Sequence, residues 1–280
     1  MEGGTPRFSA LGVEDRDRCM DLAERVGWPR ETAKWDVFFE LGRGFGVRRG
    51  DALDAMVMLP SHEGATFVAM MVVDPRAQGR GLGRALLEHA LAQANAPAML
   101  YATRAGAPLY TKVGFHEVAR VEKHIGTPAV PTEHPRGASA RHWVADDSVR
   151  IADLVTSDAR ACGLRRPRMI AALVARSKRI VVDDQGGFAL LWSNGHLDVV
   201  GPVVAEDETL AIDLVDAALE HVDPGVLARV DVVSTSTRLA AYVAARGLQR
   251  LEDAPLMTWP NALHPWERDR YHAIALQGLG

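Results

Sequence analysis

The sequence predicts two tandem α/β domains, each a mixed sheet flanked by helices. Three observations carry this. The chain has 280 residues, which suits two domains at about 150 residues each. Strand-like and helix-like patterns follow the same order in both halves. Between the halves, residues 126–141 read GTPAVPTEHPRGASAR, with three prolines, two glycines and little apolar content, a linker composition. The expected division is therefore a first domain over 1–126, a linker over 127–142 and a second domain over 143–280.

The elements follow in order. Residues 13–27 read as a helix, with Val13, Cys19, Leu22 and Val26 near helical spacing and Gly27 as its stop. Pro29 can open a second helix, since proline fits a first turn; it carries Trp35, Phe38, Phe39 and Leu41 and stops at Gly42. Strands are expected over 44–48, 52–59 and 66–73, separated by polar or glycine-bearing turns. A glycine-rich loop, 78–83, leads into a helix to about 94 with Leu82, Leu86 and Ala90 on one side. A strand over 98–103, a short helix over 105–113 stopped by Gly114, and a strand over 115–124 complete the half. The second half reads as a helix over 168–177 and strands over 179–182, 187–192 and 196–204. A helix over 206–221, a strand over 228–233 and a helix over 237–245 come next, then Gly247 and a strand to Trp259.

Composition excludes several classes. Apolar residues make up 48% and charged residues 24%, ordinary for a globular protein. The net charge of −4 is too near neutral for a nucleic-acid partner. No apolar run approaches the ~20 residues of a membrane span, and MEGGTPRFSA has no secretory pattern. Two cysteines, Cys19 and Cys162, make neither a disulfide framework nor a metal motif. The ten histidines stand singly, so no metal is expected. The expected location is the cytoplasm.

The chemistry concentrates in MMVVDPRAQGRGLGRALLEHAL, residues 70–91. A strand runs into Gln78, Gly79, Arg80, Gly81, Leu82 and Gly83, and a helix starts at once. Glycines let a backbone approach a ligand and take positive φ. Free N–H groups at a helix start sit at the positive end of its dipole and suit phosphate oxygens. Arg76, Arg80 and Arg84 add positive charge against Asp74. The spacing is neither a P-loop nor GxGxxG.

At these residues the chain resembles the GNAT superfamily of N-acetyltransferases. Gln78-x-x-Gly81-x-Gly83 matches the family's pyrophosphate loop, Met71 to Pro75 resembles the strand before it, and Pro108 to Phe115 resembles its Leu-Tyr-x-x-x-Gly-Phe segment. The likeness covers about residues 8–125. Residues 187–205, 238–259 and 270–280 resemble the C-terminal domain of a two-domain bacterial subgroup.

The resemblance implies tandem, mostly antiparallel twisted sheets and acetyl-CoA as acyl donor. Backbone N–H groups of Gln78 to Gly83, with Arg84 beside them, would hold pyrophosphate. Met71, Val72 and Val73 would pair with the pantetheine arm, and one of their N–H groups would polarise the thioester carbonyl. Tyr110 would protonate the leaving thiolate. Thr103 stands where many members carry a cofactor-binding asparagine. The family's strand glutamate has no counterpart over 66–73, which leaves His62, Glu63, Tyr101 or a water chain as the base. Trp28, Trp35, Phe38 and Phe39 form either an aromatic acceptor pocket or a helix-packing face. In the second half, Val203 to Thr209 carries three acids and no glycine, and Val243 stands in the register of Tyr110, so that half reads as a degenerate repeat without cofactor. The expected activity is direct transfer of acetyl to a primary amine on a small molecule, by a monomer or homodimer. The alternative is a non-catalytic acyl-CoA sensor.

Overall fold

The alternation of strand and helix patterns is realised in a computed structural model that describes residues 6–130, 149–260 and 269–280. The first half holds β1 (Ser9–Leu11), α1 (Arg16–Arg25), α2 (Thr32–Leu41), β2 (Gly42–Arg49), β3 (Ala52–His62), β4 (Ala65–Phe67) and β5 (Ala69–Val73). It continues with α3 (Leu82–Gln93), β6 (Ala98–Tyr101), α4 (Ala107–Val113) and β7 (His116–Gly126). The second half holds α5 (Ile151–Cys162), α6 (Pro167–Val174), β8 (Ser177–Val182), β9 (Phe188–Ser193), β10 (Asp198–Val204) and α7 (Glu208–Leu219). Then come β11 (Ala228–Val233), α8 (Thr237–Ala245), β12 (Gln249–Trp259) and β13 (Tyr271–Ile274).

Some boundaries differ from the sequence reading. The expected strand over 66–73 is two strands, because Met70 takes φ +47 and breaks the pleat between them. The second helix starts at Thr32, not Pro29; Glu31 before it has φ −110 and ψ 75, outside the helical region. Strands β1 and β13 and helix α5 were not anticipated. The start of the expected linker is pinned, since Ala129 N–H donates to the Arg246 carbonyl at 2.8 Å and Arg246 Nε donates back to Ala129 O at 2.8 Å. Residues 131–142 of that linker lie outside the described residues.

All the strands join one mostly antiparallel sheet. Its order is β1-β2-β3-β4-β6-β12-β7-β11-β13-β10-β9-β8, with β5 on β3. The two long strands are exchanged between halves. The first half's β7 pairs with β11 and β12, and the second half's β12 enters between β6 and β7. Charge favours this register: Lys123 of β7 stands opposite Asp231 of β11 and Glu252 of β12, and opposite charges facing across strands stabilise a pairing by about 0.2–1 kcal/mol. We retain the division at 127–142 as a proposal about repeats in the chain; in space the repeats share strands.

The exchange gives the halves a common core. Helices α1, α2, α5 and α6 cover one face, where one apolar cluster runs from Leu11 to Leu279 and includes the fully buried Trp35, Phe38, Phe67, Trp192 and Tyr271. On the opposite face, α3 and α4 cover the first half through Leu86, Leu87, Ala90 and Tyr110. There α7 and α8 cover the second half through Leu214, Val215, Leu239 and Val243.

Candidate active site

Each half contains a wedge where two parallel strands part. In the first half, β4 pairs with β6 at Thr66–Ala98 and Phe67–Met99, and Val68 N–H donates to Met99 O at 2.7 Å. Beyond that point β5 turns onto β3 alone, and Met70 marks the turn. The β5 edge over 70–73 faces a gap that no other described strand enters. In the second half, β10 and β11 pair at Asp198–Ala228 and Val199–Arg229 and then part. There β13 fills the gap, antiparallel to both limbs.

The open wedge ends at the glycine loop. Gly79 and Gly81 have φ +75 and +76, and a side chain at either would project into open space. Gly83 has ordinary φ, with Val73, Leu109 and Met71 between 3.6 and 3.9 Å from where a Cβ would lie. Backbone N–H groups of Gly79, Arg80 and Gly81 have no hydrogen-bond partner among the described residues. Those of Leu82, Gly83 and Arg84 open α3, where helix geometry leaves N–H groups free. Gln78 secures the loop by donating from Nε2 to Val73 O at 3.0 Å.

Charge at the loop is more selective than the sequence suggests. Buried Asp74 accepts from Arg76 N at 2.9 Å, takes two bonds from the Arg76 guanidinium, and pairs with Arg25 at 2.9 Å. The Arg76 hydrogen bonds hold the Asp74 carboxyl far below the usual range. Arg84 pairs with Glu88 at 2.8 Å. Of the three arginines expected to add charge, Arg80 alone stands exposed with no ion pair among the described residues.

Tyr110 lies on α4, its ring edge-on to Phe115 at 5.9 Å and buried in the core that α3 covers. Burial pushes its hydroxyl up to about 12, so it holds its proton at neutral pH. Gly106, which the sequence reading passed over, makes room for the ring: a Cβ there would lie 2.8 Å from Tyr110 Cε2. The Thr103 hydroxyl accepts from Gly106 N–H at 3.1 Å in the turn that leads into α4.

The acetyltransferase (GNAT) domain family matches residues 42–117 and, separately, residues 154–271. The chain is a two-domain GNAT family protein. Its chemistry is therefore acyl transfer. The uncharacterized N-acetyltransferase YitH of Bacillus subtilis (strain 168) is 24% identical over 96% of this chain and 97% of its own. A Pyrococcus horikoshii protein provisionally described as an acetyltransferase superposes with TM-score 0.85 at 16% identity, covering 100% of this chain and 98% of its own. A tandem GNAT protein from the clavulanic acid biosynthesis pathway gives 0.62 at 17% identity, over 90% and 97%.

Several side chains of this tandem GNAT were open candidates for the base, and the structure separates them. Glu63 is exposed and pairs with Arg165 at 3.5 Å. The hydroxyl of Tyr101 is buried without a partner, and burial raises it well above the ordinary tyrosine value, so it is a donor, not a base. His62 donates from Nε2 to Leu279 O at 2.8 Å, and burial, with Arg166 nearby, lowers its pKa to about 4. It is neutral at pH 7 and a weak base. Trp35 and Phe38 are fully buried with rings 6.0 Å apart, which is the helix-packing face; Trp28 and Phe39 are partly buried against the same cluster.

The His62 shift has a consequence for stability. Unfolded His62 takes a proton near 6.5, whereas the folded ring resists until about 4. The unfolded chain thus binds more protons in that window, and stability present above pH 6.5 is lost as pH falls toward 4. The loss is roughly 2–3 kcal/mol after allowance for partial exposure. Urea unfolding at pH 7 and 4.5 should show it in the wild type and not in His62→Gln; equal losses in both would refute the assignment.

The equivalent loop of the second half is committed to structure. Asp207 caps α7 by accepting from Leu210 N–H at 2.9 Å. Glu208 accepts from Arg238 and Leu239 N–H groups at 2.7 and 3.0 Å, where α8 begins. Val243 is core. The second half also grips α2 of the first. Lys34 N–H donates to Asn194 O at 3.1 Å, Asn194 Nδ2 donates to Glu31 at 2.7 Å, and Arg176 pairs with Glu40 at 3.0 Å.

Proposed function

We propose that the first half is an acetyl-CoA-dependent N-acetyltransferase acting on a primary amine of a small molecule. The observation that carries this is the contrast between the wedges: one open and ending at free N–H groups, the other filled by β13. Acetyl-CoA, when bound, supplies the thioester. Gln78 to Gly83 would take its diphosphate on backbone N–H groups, with Arg80 adding charge and Arg84 next to it on α3. Met71, Val72 and Val73 would align the pantetheine arm along the free β5 edge, and an N–H there would stabilise charge developing on the carbonyl oxygen. Tyr110, protonated at neutral pH, would donate to the departing sulfur. Thr103 would act indirectly, by starting the helix that presents Tyr110. Transfer would be direct, because burial pushes both cysteines up to about 12 and a thiol so held is a poor nucleophile. Proton removal from the amine would fall to water in the wedge. A second half that clamps α2 favours an enclosed small acceptor over a protein lysine. We place the protein in the cytoplasm as a monomer or homodimer; among the described residues no helix is long and apolar enough to cross a membrane, and no group of side chains is suited to hold a metal.

Calorimetric titration with acetyl-CoA tests the reading; absence of binding to the wild type would overturn it. Tyr110→Phe separates enzyme from sensor. The variant should retain acetyl-CoA affinity within about threefold while kcat falls about 100-fold, the range of general acid catalysis. Unchanged turnover would remove Tyr110 from the mechanism.

A further inference from the structure

Resting on that reading, we propose that the acceptor site is composite and selects amines that carry a carbonyl-type oxygen, held by Tyr101 of the first half and Gln277 of the second. Besides the core indole N–H groups of Trp35 and Trp192 and the ring nitrogens of three histidines, two buried donors lack a partner among the described residues: Tyr101 Oη and Gln277 Nε2. They come from different halves. Tyr101 ends β6, one limb of the open wedge, and its ring stacks on Phe67 of the other limb at 6.4 Å. Gln277 belongs to the segment that follows β13. That segment leaves the filled wedge and crosses to the foot of the open one: Gly278 abuts Ala69 and Phe38, and Leu279 O accepts from His62 at 2.8 Å.

Asp231 of β11 lies near the residues that carry both donors. Its Oδ2 accepts from Gln277 N–H at 3.4 Å, and it lies within electrostatic range of both the Tyr101 hydroxyl and the Lys34 ammonium.

The surrounding charges are already matched. Arg229 makes two bonds to Asp231, Lys34 pairs with Glu31, Lys123 with Glu252, and Arg166 makes two bonds to Asp158. None of these carboxylates is left over for an ammonium. What remains unsatisfied is donor capacity, and buried donors without acceptors are costly. A carboxylate or amide oxygen on the acceptor would satisfy both, with its amine directed to the wedge between β5 and β6. An amine lacking that oxygen would leave the donors orphaned, and a site built to hydrogen-bond a group rejects analogues without it.

The test compares three series in the full-length protein: lysine, lysinamide and cadaverine; tyrosine, tyrosinamide and tyramine; leucine, leucinamide and isoamylamine. Thiol release from acetyl-CoA is the readout. At least one series should show kcat/KM about 10-fold higher for the oxygen-bearing members than for the decarboxylated amine. The acid and amide arms distinguish a carboxylate from an amide carbonyl. Tyr101→Phe and Gln277→Leu should each raise KM for the preferred acceptor about 5- to 10-fold. Both should narrow the gap between the oxygen-bearing and decarboxylated members of the series, with acetyl-CoA affinity within a few fold of the wild type. A merely structural role would affect all acceptors alike. Equal use of decarboxylated amines by the wild type would overturn the inference without any variant, as would bound acetyl-CoA with no turnover in any series. Failure of the wild type to bind acetyl-CoA would instead sink the underlying acetyltransferase reading.

Discussion

Gly81→Asp/Gly83→Asp should lower acetyl-CoA affinity at least about 100-fold, close to 2.8 kcal/mol at 1.4 kcal/mol per decade. Two effects act together. Gly81 has φ +76, a conformation that costs a side-chain-bearing residue about 1–2 kcal/mol. The Gly81 carboxylate, which projects into open space, also stands where diphosphate oxygens would lie, and like charges 4 Å apart near a protein surface repel by about 4 kcal/mol. The exposed Gly81→Asp leaves the core alone, whereas Gly83→Asp sets a carboxylate against Val73, Leu109 and Met71. Gly83→Ala is the control. A Cβ there meets Val73, Leu109 and Met71 at ordinary contact distances of 3.6–3.9 Å, so affinity should stay within a few fold. Calorimetry on the three proteins decides the matter. Unchanged binding by the double aspartate would show that acetyl-CoA lies elsewhere; loss in the alanine control alone would point to packing instead of phosphate.

The loop was legible in the sequence because its chemistry is local. Positive-φ glycines, a helix start and adjacent arginines all fall within nine residues. The helix that carries Tyr110 was legible through its stop at Gly114. Long-range pairing was not. Residues 116–126 and 249–259 both read as plain strands, and alternation of side chains says which face is buried, not which partner lies alongside. The exchange of β7 and β12 therefore left no local trace beyond Lys123 and its acidic neighbours. Helix α5 escaped for a different reason. Its buried stripe of Leu154, Val155, Ala161 and Cys162 is interrupted by Asp158, a residue that belongs inside only because Arg166, eight positions on, pairs with it. Met70 gave no warning either, since a methionine at positive φ is rare and is imposed by the parting of β5 from β6.

The ion pairs of Arg76 and Arg84 were not legible for a related reason. Counting charges along the chain shows three arginines near the loop, but not that Arg76 pairs with Asp74 and Arg84 with Glu88. The same limit hid Gln277, which is 176 positions from Tyr101 and is carried toward the first half only because the segment after β13 crosses between halves. Bringing the parts of a site together from distant strands is the work of topology, and a single sequence records topology weakly.

Gly201→Ala should be the most damaging small substitution in the second half. A Cβ there would lie 2.1 Å from the Ile274 carbonyl oxygen and 3.1 Å from its carbon. Both are backbone atoms, so no side-chain rotation relieves the clash; β10 and β13 must move apart. Overpacking of this kind costs about 3 kcal/mol or more, on the order of a 10 °C fall in melting temperature for a chain of this size. The position matters beyond stability. β13 occupies in the second half the gap that stays open in the first, and Gly201 is what lets its backbone come so close. Displacing β13 would also loosen the segment that carries Gln277 to the first half. The variant, assayed below its melting temperature, should therefore keep acetyl-CoA affinity within a few fold while KM for the acceptor rises. Should Gly201→Ala melt like the wild type, the tight seating of β13 would be wrong, and with it the reason the second wedge is closed to a ligand.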